Sequence, residues 1–199
     1  PVSIFARPSG VKEARLSHDE ILTLFHETGH GLHHLLTQVD ELGVSGINGV
    51  EWDAVELPSQ FMENFVWEYD VLAQMSAHEE TGAALPKELF DKMLAAKNFQ
   101  RGLFLVRQME FALFDMTIYS EDDEGRLKNW PQVLDSVRKE VAVIQPPEYN
   151  RFALSFSHIF AVGYSAGYYS YAWAEVLSAD AYAAFEESDD VAATGKRFW

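Results

Sequence analysis

The residues best suited to chemistry in this chain are His26, Glu27 and His30, in the run His26-Glu27-Thr28-Gly29-His30. On a helix, positions i and i+4 stand one above the other, so the two imidazoles can offer nitrogens to one cation. Glu27, about 100° further round, can reach a water on that cation without displacing it. Zinc held by two histidines and a third ligand keeps an open position and lowers the pKa of its water to about 7. The chemistry expected is hydrolysis at one Zn2+ ion with Glu27 as general base, the pattern of a zinc peptidase.

A third protein ligand is required. The spacing that would supply a third histidine ends at Leu36, and the chain has no cysteine. A downstream carboxylate remains, and two compete, Glu56 and Glu51, with Glu56 favoured. Glu56 opens the run Glu56-Leu57-Pro58-Ser59-Gln60-Phe61-Met62-Glu63, and Pro58 belongs near a helix start, which places Glu56 in or just before a first turn. Glu63, seven residues on, shares its helix face and is a candidate outer-shell partner. Asp53 is the other: a ligating imidazole usually gives its second N–H to a carboxylate. Equally, Asp53 fits the N-cap of a capping box closed by Glu56.

Helices are expected to hold these groups. Ser17 and Glu20 form an S-x-x-E capping box, and Ile21, Leu22, Leu24, Phe25, Leu32, Leu35 and Leu36 carry helical apolar spacing, predicting a helix over 17–39. Gly29 and Gly31 each weaken an isolated helix by about 1 kcal/mol relative to Ala, so something is expected to pack closely against them. A Gly-rich connection over 43–49 leads to a second helix over 53–78. Further helices are expected over 86–97, 98–119, 130–143 and 167–187, with an acidic turn at 121–125 and a break at Pro146-Pro147. The fold class expected is mainly α, a helical zincin-type catalytic domain with little strand, and no linker divides residues 1–199, which read as a single domain.

Three separated segments resemble one family. His26-Glu27-Thr28-Gly29-His30 followed by Trp52-Asp53-Ala54-Val55-Glu56-Leu57-Pro58-Ser59-Gln60 is similar to the M3 oligopeptidases, the thimet oligopeptidase and neurolysin group. So are Phe111-Ala112-Leu113-Phe114-Asp115 and the stretch from Phe156-Ser157-His158 to Tyr164-Ser165-Ala166-Gly167-Tyr168-Tyr169-Ser170-Tyr171. The resemblance implies a cytoplasmic zinc endopeptidase that cuts short peptides in a channel between two mostly helical halves. It implies His26, His30 and Glu56 as zinc ligands and Glu27 as general base. It implies that His158, Tyr168 and Tyr171 serve the reacting centre, and that Gly163 and Tyr164 belong to a substrate-contacting loop. Read by itself, the tyrosine-rich stretch is an aromatic core helix; as part of this family, its phenols become neutral donors to a developing oxyanion. Two departures stand out. Thr28 replaces the family's usual Phe and is expected to loosen packing behind the metal. Val162 stands where the family has a first glycine before Gly163, and a β-branched residue is costly if that backbone needs φ > 0.

M3 members are several times longer than 199 residues, so the resemblance also implies a fragment lacking the N-terminal half that forms the other channel wall. A metal-binding but weakly catalytic peptide-binding fragment is the alternative function. Net charge of −16 speaks against nucleic acid or an anionic membrane as partner, since either calls for a basic face. No apolar run approaches the roughly 20 residues of a membrane span. Absence of cysteine excludes disulfides and fits a cytoplasmic protein; a monomer acting on short peptides is the expectation that goes with the resemblance. Of the remaining histidines, His33 reads as substrate-side or outer-shell, and His18, His34 and His78 as solvated.

Overall fold

The computed structural model describes residues 5, 7, 14–120 and 128–198, and no strand occurs among them. The chain forms two compact units, residues 1–96 with 174–199, and residues 97–173. The expected turn at 121–125 lies outside the described residues.

In the first unit, α1 (His18–Leu35) begins at the anticipated capping box. The Ser17 hydroxyl accepts from Glu20 N, and the Glu20 carboxylate accepts from Ser17 N at 2.7 Å. The helix stops four residues short of expectation because Thr37 offers its hydroxyl oxygen to the amides of Val39 and Gly46, at 3.3 and 3.1 Å, in place of a helical turn. The helix expected over 53–78 is instead three short ones, α2 (Trp52–Val55), α3 (Leu57–Glu63) and α4 (Tyr69–Met75), with a 3-10 turn, Asn64–Trp67, between the last two. The breaks have local causes. Pro58 lacks the N–H that would continue α2 into α3. Asn64 Nδ2 donates to the carbonyls of Gln60 and Phe61, which competes with the backbone ladder. Glu68 is extended, at φ −94° and ψ 127°. One core joins Val66, Leu72 and Phe90 of α5 (Lys87–Ala96) to Ile21, Leu22 and Phe25 of α1.

The second unit is built on α6 (Arg101–Tyr119), whose start is delayed from residue 98 by a left-handed Gln100 at φ 55°. Its core packs Phe114 and Ile118 against Leu134 of α7 (Trp130–Val141) and against Phe156 and Ile159 beside and within the short α8 (Ser157–Phe160). Helix α9 (Ser170–Glu186) starts three residues later than its sequence suggests, because residues 165–169 form turns with Ala166 at φ 53°. It continues into the first unit, where α10 (Val191–Phe198) follows. That last helix was not anticipated, although its signal is present: the Asp190 carboxylate accepts from Ala193 N at 2.9 Å, an N-cap. Phe198 then stacks on Phe61 of α3 with ring centroids 4.1 Å apart.

Candidate active site

The first cluster is set by how closely α1 crosses α3. Gly29 is the one buried residue of α1, and a Cβ placed on it would collide with Pro58 O and lie 2.6 Å from Ser59 Cα. Only a residue without a side chain allows that approach. Gly31 does not share this role, since a Cβ there would meet nothing within 4 Å.

The crossing brings Glu56, at the junction of α2 and α3, under the two histidines of α1. Glu56 Oε2 lies 3.2 Å from His26 Nε2 and 3.1 Å from His30 Nε2. The carboxylate is 1% exposed, and the Ser59 hydroxyl donates to the same oxygen at 2.7 Å. Two donors held at about 2.1 Å by one tetrahedral ion stand about 3.4 Å apart, close to the spacings seen. One atom from each of His26, His30 and Glu56 lies within 4.8 Å of the others, an arrangement able to hold a metal ion. Two neutral imidazoles and a carboxylate also suit a divalent cation chemically.

Of the two outer-shell candidates, Glu63 is the one in contact. His26 Nδ1 donates to Glu63 Oε1 at 2.7 Å, which fixes the tautomer and leaves Nε2 turned toward Glu56. Asp53 makes no hydrogen bond to either imidazole among the described residues. It is not the N-cap of α2 either; that position is Glu51, which has no capping hydrogen bond. Glu51, the competing third ligand, is exposed and stands outside the His26, His30, Glu56 group. His30 Nδ1 is buried without a hydrogen-bond partner among the described residues.

Without a metal, the electrostatics of His26 are dominated by its neighbours. Burial lowers its pKa, but hydrogen bonds and negative charge from Glu56 and Glu63 outweigh burial and push it up to about 9. His33 moves the other way, lowered by burial and then by His30 and His34. The histidines expected to be solvated divide. His34 and His78 are exposed as expected, each accepting from nearby backbone amides, while His18 is half-buried against Trp67 with ring centroids 4.4 Å apart.

Glu27 is half-buried and forms no hydrogen bond or ion pair among the described residues. It rims a groove of about 370 Å³ lined by Phe5, Leu24, Thr28, Gly31, Leu32 and Leu35. Thr28 is on this exposed side of α1, its hydroxyl donating to Leu24 O at 2.7 Å. The substitution expected to loosen packing behind the metal therefore bears on the groove instead.

The second cluster lies in the second unit. The rings of His158 and Tyr164, Tyr168 and Tyr171 gather with centroids 5.8–6.0 Å apart, while Tyr164 stacks on Tyr171 at 5.1 Å. Tyr168 lies 5.2 Å from Tyr171 and donates its hydroxyl proton to Gln108 Oε1 at 2.9 Å. Burial pushes its phenol up to about 12, so it is a neutral donor at neutral pH. Left-handed backbone falls on Gly163, at φ 96°, and on Ala166, not on Val162, so the expected cost at Val162 is absent. Ser59 and Asp115 are the contributions unread in the sequence. For Asp115 the signal is a carboxylate inside the apolar run Phe111–Met116, since a buried charge demands partners.

The model of Peptidase family M3 matches residues 2–199. Over 183 residues the chain is 58% identical to oligopeptidase A of Salmonella typhimurium, covering 92% of this chain and 27% of that protein. Oligopeptidase A of Escherichia coli matches at the same 58% identity and the same coverage. Saccharolysin of Saccharomyces cerevisiae is 37% identical over 182 residues, 89% of this chain and 25% of that protein. The chain thus spans about a quarter of the length of these curated relatives.

Proposed function

Since this chain belongs to peptidase family M3, we propose that it is the metal-holding catalytic part of an oligopeptidase acting on short peptides, with one zinc ion bound by His26, His30 and Glu56. The observation that carries this reading is the approach of two imidazole nitrogens to a single buried carboxylate oxygen, at 3.2 and 3.1 Å. Bound zinc supplies Lewis acidity, polarising a carbonyl and making water acidic enough to lose a proton near neutral pH. Glu27 takes that proton and returns it to the departing amine nitrogen. Glu63 holds His26 in the ligating tautomer. Tyr168, its one hydroxyl proton turned from Gln108 to the substrate, and Tyr171, with His158, donate to the oxygen that gains charge, where a neutral phenol in a water-poor site counts for more than in water. Tyr164 and Gly163 contact the peptide.

Residues 1–199 act in this reading as one catalytic domain in the cytoplasm, completed by the rest of a relative-length chain, which supplies the facing wall and the remaining substrate contacts. No described helix is long and apolar enough to cross a membrane.

The test is Glu27→Gln, assayed on a quenched fluorescent peptide with bound zinc measured in parallel. Metal content stays at the wild-type level while turnover falls by roughly 10²–10⁴-fold, the usual contribution of a positioned base. Unchanged turnover removes Glu27 from the mechanism. Peptide binding without turnover in both proteins supports a binding module instead.

A further inference from the structure

One face of α6 carries Gln108, Phe111, Asp115 and Tyr119 at i, i+3, i+7 and i+11, and all four hold the segment that bears His158 and the tyrosines. Asp115 has no exposed surface. Its Oδ1 accepts from Ala166 N at 2.8 Å and its Oδ2 from Tyr168 N at 2.9 Å. Tyr119 donates to the Ile159 carbonyl at 2.7 Å, the same oxygen that accepts from the Ser165 hydroxyl at 2.9 Å. Gln108 Oε1 accepts a hydrogen bond from the Tyr168 hydroxyl, and Phe111 packs edge-on against the Tyr168 ring at 5.8 Å.

A carboxylate this buried ordinarily has a cationic partner, and no ion pair to Asp115 occurs among the described residues. Its partners are backbone N–H groups. Burial raises its pKa, and the amides of Tyr168, Ala166 and Gly167 oppose that rise. Both oxygens are used as acceptors, a task asparagine cannot perform because one of its two polar atoms is a donor. The turn it grips contains Ala166 at φ 53°, a left-handed conformation unfavourable for a residue with a Cβ. The loop therefore depends on an outside contact to keep that geometry, and Asp115 supplies it two residues from Tyr168.

We infer that Asp115 is a positioning residue of the reaction, setting through the Ala166 and Tyr168 amides where the phenols of Tyr168 and Tyr171 stand. The inference rests on the proposed role of those tyrosines, and the experiment separates the two. The protein is the zinc-loaded full-length enzyme, carrying Asp115→Asn alone and in a Tyr168→Phe/Tyr171→Phe background. Two quantities are measured: steady-state kinetics, and amide hydrogen exchange over residues 163–171. Asp115→Asn is expected to speed exchange at 166–168 by at least roughly tenfold. It is expected to lower kcat by about 10–100-fold, the scale of a small misplacement, with KM little changed and zinc content intact. In the tyrosine-less background the same substitution should cost no more than about threefold further, because groups acting as a unit are non-additive. Equal losses in both backgrounds, or unchanged exchange, overturn the inference. A tyrosine-less enzyme with full turnover sinks the tyrosine reading itself, and the positioning role with it, and is recognised from that variant alone. Should Asp115→Asn not fold, Tyr119→Phe removes one anchor of the same loop at almost constant volume. It should show a smaller kcat loss that likewise disappears in the tyrosine-less background, and a loss that persists there overturns the inference.

Discussion

Gly29→Ala tests the geometric origin of the candidate metal cluster of His26, His30 and Glu56. The added Cβ would collide with Pro58 O, lie 2.6 Å from Ser59 Cα and 2.8 Å from Pro58 C, all backbone atoms, where ordinary contact begins near 3.4 Å. Backbone cannot swing aside, so α1 and α3 must separate by roughly 1 Å to relieve overpacking of the kind that costs about 1–3 kcal/mol. Replacing a helical glycine returns about 1 kcal/mol of propensity, leaving a net loss of roughly 0–2 kcal/mol. The consequence for metal is larger. Spacings of 3.1 and 3.2 Å between Glu56 and the histidines widen toward roughly 4 Å, beyond what one ion with bonds tolerating about ±0.2 Å can bridge. Zinc affinity should fall by at least the roughly 10–100-fold typical of outer-shell lesions. Gly31→Ala is the matched control, two residues away in the same helix with open space around its Cβ. It should gain up to about 1 kcal/mol and bind zinc as before. The assays are denaturant midpoints in chelator and zinc competition against a chromophoric chelator. If the two alanine variants bind zinc equally well, the close crossing does not set the site.

Three further outcomes follow from the same cluster. Glu63→Gln should weaken zinc binding by about 10–100-fold with little change in fold, because His26 loses the carboxylate that orients it; circular dichroism and metal competition check both halves. Glu56→Gln should abolish tight zinc binding while Glu51→Gln leaves it intact, as elemental analysis of the two purified variants would reveal. In the metal-free chain, His26 has its pKa raised from 6.5 to about 9, so its stabilising contribution is complete below pH 6.5 and lost as pH rises through 9. The loss amounts to about 3 kcal/mol, readable in denaturant midpoints at pH 6 and pH 9.5, and metal uptake near pH 7 should release about one proton per site. A midpoint that does not fall over this range would refute the Glu56–His26–Glu63 arrangement.

The reacting groups and their local frames are legible in residue order alone. HExxH spacing places His26 and His30 on one helical face because the period is 3.6 residues, and the Ser17–Glu20 box marks where that helix begins, since both half-bonds are local. The helical class was equally legible, being a matter of apolar periodicity. Breaks within helices were not: Asn64 and Thr37 divert backbone groups through side-chain bonds whose geometry no periodicity records. The place of Glu56 just before Pro58 favours it over Glu51 already in the sequence, but its approach to both histidines, and Glu63 rather than Asp53 as the partner of His26, depend on how far α1 sinks onto α3 at Gly29. Tertiary structure also disclosed Asp115, whose amide partners lie 51 and 53 residues away in the chain. Types and spacings within one helix are set by covalent geometry, whereas distances between helices are set by packing, which sums over side chains far apart in sequence.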